Sequence, residues 1–167
     1  GVEKLYTRDN VQRIIWATGK GARARGEGHV CVVVAGYRAE ARADGDGAEA
    51  WADGDGAEAW AYGDGAKAEA YGKGAKAWAT GYRAEARADG DVAKARATGY
   101  RAWARADGKY AEAAVNGEGA EAWAYGYRAW AAANGDGAEA EAYGEYARAK
   151  VNGVLQEFGA GGEGENG

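Results

Sequence analysis

Between Gly36 and Asn152 apolar and polar positions alternate in short bursts, each broken by a glycine. The pattern is G-x-x-A-x-A-x-A-x, repeated thirteen times without insertion or deletion. Of its 39 alanine slots 37 hold Ala, and Val115 and Val151 fill the other two. Alternation with period two is strand periodicity: alanine takes one face, and Glu, Lys, Arg, Trp, Asp and Tyr take the other. Alanine is also the best helix former. A glycine every nine residues would break such helices, however, and positions i, i+2 and i+4 do not share a helical face. Each unit is therefore predicted to be one strand of about five residues and a turn.

A fixed short period is the signature of stacked repeats. The outward residues indicate how many units close a coil, because stacked rows favour like residues. At the ninth position of the unit, residues 18 apart match at Thr80/Thr98, Asp89/Asp107, Asn116/Asn134, Asn134/Asn152 and Tyr125/Tyr143. No pair 27 apart matches. The expectation is an all-β, parallel β-solenoid with two strands, 18 residues, per coil and a thin alanine core. Thirteen units make about 6.5 coils, a rod roughly 30 Å long at ~4.8 Å per strand.

The ends break the pattern. In residues 1–18, Asp9 or Asn10 can cap a helix carrying Val11, Ile14 and Ile15, with Leu5 and Tyr6 alongside. That reads as a short capping helix that plugs one end of the stack. Residues 19–152 form the repeat body, with Gly26 in an alanine slot of the unit 19–27. Residues 28–35 are one residue short and valine-rich, and either alternation of Val30, Val32 and Val34 with Cys31, Val33 and Ala35 is possible. Residues 153–167 form a second cap, in which Val154, Leu155 and Phe158 can cover the last coil. A Gly-rich acidic strip follows, which a neighbouring subunit could hold.

Composition narrows the function classes. The chain has no Met, no Pro and no Ser, so it reads as a processed or tag-cleaved product, or an excerpt. Its charge of −5 is spread over interleaved acids and bases, which suits a soluble mixed surface and not a nucleic-acid footprint. No run reaches the roughly 18 apolar residues of a membrane span, and no cleavable signal peptide is visible. A lone Cys31 excludes an internal disulfide.

The outward slots carry Trp51, Trp60, Trp78, Trp103, Trp123 and Trp130, with Tyr82, Tyr100, Tyr125 and Tyr143 among the tyrosines. Each such ring can bury about 150–250 Å², far more than an alanine methyl. Rings at this density imply a partner surface, unless they stack on one another along rows such as Trp60/Trp78 and Tyr82/Tyr100.

Catalytic chemistry is poorly supported, and no cofactor is implied. For His29 and Cys31 a buried thiol and a capping histidine are a better account than a catalytic dyad. Carboxylate pairs such as Glu40 and Glu58 sit on a flat sheet without a cleft to split their pKa values. Asp44, Asp46, Asp53 and Asp55 at the Gly/Asp turns are weak calcium candidates. The G-x-G-x-x-G at Gly159 to Gly164 has no strand before it or helix after it. Aligned threonines for ice binding are limited to Thr80 and Thr98.

The nonapeptides with Gly/Asp turns are distantly similar to the repeats-in-toxin β-rolls, which would imply calcium between turns. The order G-G-x-G-x-D-x-U-x is missing, and Tyr37, Lys73, Tyr82, Tyr100, Lys109 and Tyr127 replace the turn Asp. The units G-Y-R-A-E-A-R-A-D (36–44, 81–89), G-Y-R-A-W-A-R-A-D (99–107) and G-D-G-A-E-A-W-A-D (45–53) more closely resemble the alanine-rich nonapeptide arrays of uncharacterised bacterial and phage proteins. That resemblance implies architecture and no activity. The functional expectation is a non-enzymatic, self-assembling structural subunit of an extracellular fibre, appendage or phage tail structure, partnered with itself. Alternatives are recognition of polysaccharide or a host protein by the Trp and Tyr rows, and charge-mimic inhibition of a nucleic-acid enzyme.

Overall fold

A computed structural model describes the backbone of residues 2–5 and all of residues 13–156. It is a two-sheet parallel β-solenoid. The strands are β1 (Val2–Leu5), β2 (Arg13–Thr18), β3 (Arg23–Glu27), β4 (Val30–Ala35), β5 (Glu40–Asp44), β6 (Glu49–Asp53), β7 (Glu58–Tyr62), β8 (Lys67–Tyr71) and β9 (Lys76–Thr80). They continue as β10 (Glu85–Asp89), β11 (Lys94–Thr98), β12 (Trp103–Asp107), β13 (Glu112–Asn116), β14 (Glu121–Tyr125), β15 (Trp130–Asn134), β16 (Glu139–Tyr143), β17 (Arg148–Val151) and β18 (Val154–Leu155). One nine-stranded sheet holds β1 and the even strands to β16; the other holds the odd strands from β3 to β17, then β18. Through the regular repeats each strand pairs in parallel with the strand 18 residues away, as at Ala86↔Ala104 and Ala77↔Ala95. From β2/β3 to β16/β17 there are about eight coils, a stack roughly 40 Å long at ~4.8 Å per strand.

The turn explains the glycine. In each regular unit the fourth residue donates its N–H to the carbonyl of the leading glycine, for example Ala39 to Gly36 at 3.0 Å. The third residue has positive φ, as in a type II turn. Glycine supplies it at Gly47 and Gly65, but Arg38, Arg83, Val92, Arg101, Tyr110, Arg128 and Tyr146 adopt it too. Inter-coil hydrogen bonds continue through the turns, as from Gly36 N–H to the Asp53 carbonyl at 2.8 Å. The ladders are thus not interrupted at the corners.

The alanines in the repeat slots face inward and most have no solvent exposure, while Ala114 and Ala132 lie on the outer face. The core is thicker at the N-terminal end, where Ile15, Val30, Val32 and Val34 are buried. A β-carbon on the buried Gly26 would lie 2.6 Å from Val30 Cγ2 and 2.9 Å from Ile15 Cδ1. Glycine there leaves the room that the larger side chains fill. This settles residues 28–35: Val30, Val32 and Val34 point in, while Cys31, Val33 and Ala35 lie on the outer face.

One expectation at the ends is corrected. Ile14 and Ile15 belong to strand β2, not to a helix, with burial alternating along Ile14, Ile15, Trp16 and Ala17. The strand is favoured because β2 pairs along the whole of β4, from Arg13↔Val30 to Thr18↔Ala35, satisfying backbone groups that a helix would leave unmatched. Asp9, Asn10, Val11 and Tyr6 lie outside the described residues. Val154 and Leu155 form β18 beside β17 and remain exposed, at 63% and 51%. They add one short strand beyond β17, opposite Lys150 and Val151. Phe158 and the acidic strip lie outside the described residues.

Candidate interaction surface

Because alternate residues face out, each sheet presents three columns of side chains, stacked one per coil. On the odd-strand face, Trp60 and Trp78 occupy matched positions and their rings stack at 5.1 Å with planes 7° apart. Arg42 lies 4.9 Å over the Tyr62 ring and also pairs with Asp44 at 3.1 Å. Arg25 reaches Asp44 at 3.3 Å, and Arg23 reaches Glu40 at 3.2 Å. A shallow groove of about 460 Å³ opens here, lined by Arg23, Ala24, Arg25, Glu40, Ala41, Arg42 and Trp60. Farther along, Thr80 faces Thr98, the Asn134 amide donates to Asn116 at 3.3 Å, and Lys150 lies 5.6 Å from the Trp130 ring.

The even-strand face begins with an apolar area. Ile14, Trp16, Cys31, Val33 and Trp51 occupy neighbouring outward positions on β2, β4 and β6. Burial and the nearby Glu49 carboxylate push the Cys31 thiol up to about 11. A charged band follows. Asp89 and Asp107 are matched in register, and each accepts from the arginine two residues before it, Arg87 at 3.1 Å and Arg105 at 2.8 Å. Burial, and then the neighbouring Asp107, raise the Asp89 carboxyl above the ordinary aspartate range. Tyr71 donates to Glu69; burial and that hydrogen bond push its phenol upward. Beyond this band Tyr125 stacks on Tyr143 at 5.2 Å, Trp123 lies 6.4 Å from Tyr143, and Arg105 sits 4.6 Å over Tyr125.

At the corners Tyr82 stacks on Tyr100 at 5.4 Å, and each ring is covered by its following arginine, Arg83 or Arg101, at 5.4 and 5.5 Å. Tyr127 sits edge-on between Tyr110 and Tyr146, at 5.9 and 5.7 Å. The structure thus brings together Trp60 with Trp78, Tyr82 with Tyr100, and Trp123 and Tyr125 with Tyr143. Trp51 contacts Tyr71 at 6.4 Å, while Trp103 and Trp130 lie in other columns, on opposite faces of the rod. Both self-stacking and exposure occur: Tyr82, Tyr100 and Tyr143 are paired yet remain exposed. The outward position of Trp16 was missed in the sequence because its segment reads as a helix.

The calcium candidates have other roles. The Asp46 and Asp55 carboxylates accept the backbone N–H of Asp64 and Lys73 one coil on, at 3.2 and 3.0 Å. Asp64 and Asp91 repeat this contact with Tyr82 and Lys109. Asp44 is held by arginines, and Asp53 faces solvent on β6. Among the described residues no group of three or more His, Cys, Asp and Glu side chains is placed to hold a metal ion. His29 lies in the exposed turn before β4, while Cys31 lies on its outer face. Glu40 and Glu58 face one another in register on an open sheet, each with a basic partner, Arg23 and Lys76. Among the described residues the elements are strands, and there is no helix long and apolar enough to cross a membrane.

No protein-family model, curated protein or solved structure matches this chain.

Proposed function

We propose that the chain is a self-associating structural rod, a subunit of an extracellular fibre, appendage or phage tail structure. The observation that carries this reading is that both sheets run the length of the described rod and finish on edge strands, β1 and β16 in one and β18 and β3 in the other. An edge strand presents a row of backbone donors and acceptors to another chain. Head-to-tail contacts that do not close generate filaments. The exposed Tyr and Trp rows add lateral surface through which rods can associate. The likeness to alanine-rich nonapeptide arrays fits this role as a likeness of pattern. Negative-stain electron microscopy and sedimentation at several concentrations test it: rods that lengthen with concentration are expected, and a monomer at every concentration would rule it out.

A second reading rests on the stacked Trp60 and Trp78 beside the arginine-rimmed groove. Flat rings flanked by charged donors suit polysaccharide or a protein partner. A glycan array without hits, together with unchanged tryptophan fluorescence, would retire its carbohydrate form.

A further inference from the structure

The two ends of the rod are stepped, and the steps are complementary. At the N-terminal end the even-strand sheet extends one strand beyond the first coil, because β1 pairs antiparallel with β2. Among the described residues the odd-strand sheet stops at β3, in that same first coil. At the C-terminal end the situation is reversed. There, among the described residues, the even-strand sheet stops at β16, while the odd-strand sheet adds β18, antiparallel to β17. One end therefore projects a strand in one sheet, and the other end projects a strand in the other sheet.

Solvent reaches the core where the steps leave a strand position open. Ala24 on β3 is only partly buried, whereas its β5 counterpart Ala41 is fully buried. Ala138, Ala140 and Ala142, at or on β16, show 4–6% exposure, against at most 1% for Ala120, Ala122 and Ala124 one coil earlier. Below the projecting strands Ala149 on β17 is fully buried and Ile15 and Ala17 on β2 are 3% exposed, while Val151, at the end of β17, is only partly buried.

Backbone direction agrees. Glu40 N–H donates to the Ala22 carbonyl at 2.9 Å, so the alternate residues Arg23 and Arg25 turn their N–H and C=O groups towards the N-terminal end. The Arg13 guanidinium already uses the Glu27 carbonyl on that side. Glu139 N–H donates back to Ala120 at 2.9 Å, so Ala140 and Ala142 turn theirs towards the C-terminal end.

We infer that a second copy of this chain docks end to end by interlocking these steps. β1 of one copy lies beside β16 of the next, and β18 of that copy lies beside β3 of the first. This deepens, and rests on, the self-association proposed above. Both joining strands are antiparallel to their neighbours on either side, as β1 is to β2 and β18 is to β17. The joint becomes one complete rung, with one strand from each copy, no position empty and none doubled. As β18 joins β3, Leu155, opposite the outward Lys150, comes beside the aliphatic stems of Arg23 and Arg25 at the mouth of the groove, while Val154, opposite the inward Val151, turns towards the core beside Ala24. A rod end of roughly 20 by 20 Å buries about 400 Å² per partner, below a standard stable interface. Growth is therefore strongly concentration-dependent.

The test uses the full chain with three substitutions, each checked for retained far-UV circular dichroism. Arg25→Pro removes an outward N–H from edge strand β3 without removing a bond to β5. Arg25→Ala keeps that N–H and removes the same charge. Val154→Asp places a carboxylate on the core-facing side of the joining strand, where Ala24 offers it no partner. Sedimentation is expected to show Arg25→Pro and Val154→Asp at the monomer mass under conditions where the unsubstituted chain and Arg25→Ala form rods. An equimolar mixture of Arg25→Pro and Val154→Asp retains one intact joint and stops at pairs. Rods undiminished by Arg25→Pro and Val154→Asp would overturn the interlock while leaving self-association standing through the lateral faces. Loss of rods in Arg25→Ala as well would overturn strand pairing at β3. A monomeric unsubstituted chain at every concentration would remove both readings.

Discussion

The carbonyl oxygen of Gly45 lies 2.2 Å from the point that a β-carbon on Gly63 would occupy. The same approach recurs one coil on, where the Gly63 carbonyl lies 2.1 Å from a β-carbon on Gly81. A column of glycines thus lets successive corners stack at strand spacing. Gly63 has φ of +133°, while Gly65, in the same turn, has φ of +69° and nothing within 4 Å of its β-carbon site. Gly63→Ala is expected to cost more than about 3 kcal/mol, combining a backbone clash with a glycine-only conformation. Gly65→Ala should cost only about 1 kcal/mol, since only the left-handed conformation is penalised. Urea unfolding of the two variants measures the difference, and equal costs would contradict the stacking account.

Gly26→Ala is expected to destabilise by about 1–3 kcal/mol through overpacking against Val30 and Ile15. Adding Val30→Ala vacates the contacted methyls. The double variant should therefore lose less than the sum of the two single losses, because the sites share one space. A strictly additive cycle would show that Gly26 is not held by that contact.

Val92 adopts φ of +63° in an exposed turn, where a β-branched residue is strained. Val92→Gly should stabilise by about 0.5–1 kcal/mol, the left-handed relief of ~1–2 kcal/mol less the added unfolded-chain entropy. Arg83→Gly is expected to be nearer neutral, because it also removes the guanidinium lying over Tyr82. Thermal unfolding of both variants separates strain from contact.

Asp89 is an acid whose folded pKa is raised, by burial and then by Asp107. Its contribution is favourable below the ordinary aspartate pKa of 3.8 and is lost as pH rises through the higher folded value. Asp89→Asn should therefore stabilise the rod near neutral pH and flatten that part of the stability profile. Denaturant midpoints across the acid range provide the check, and a variant less stable at pH 7 would show that the Arg87 contact outweighs the repulsion.

Cys31, with its pKa raised to about 11 from 9.0, holds roughly a hundredth of the usual thiolate at pH 8. The higher nucleophilicity of that thiolate offsets part of this, leaving alkylation about tenfold slower than for an ordinary thiol. Any stability linked to this group is present below pH 9 and lost as pH rises towards 11. Glu49→Gln, which removes the adjacent charge, should speed iodoacetamide labelling. An unchanged rate would leave burial and the Glu69 charge as the causes.

The repeat body was legible because its information is local and redundant. Alternating alanines state which face is buried, and the matched ninth residues, such as Thr80/Thr98 and Asn116/Asn134, state that coils close every 18 residues. Ile14 and Ile15 were misread because so short an apolar run satisfies helical spacing and strand alternation alike. The parity of Val30, Val32 and Val34 was open for a related reason. The unit 28–35 is one residue short, so counting from either end gives opposite faces.

By itself, the sequence determined the period, the face that alanine lines and the number of strands per coil, since each follows from side-chain size and backbone periodicity repeated along the chain. Only the tertiary structure decided that Ile15 belongs to a strand, that Val154 and Leu155 extend a sheet edge, and that the two ends step in opposite sheets. Those outcomes depend on which neighbouring strand is present to accept a hydrogen bond. At a chain end, where the repeat stops, no local pattern encodes that neighbour.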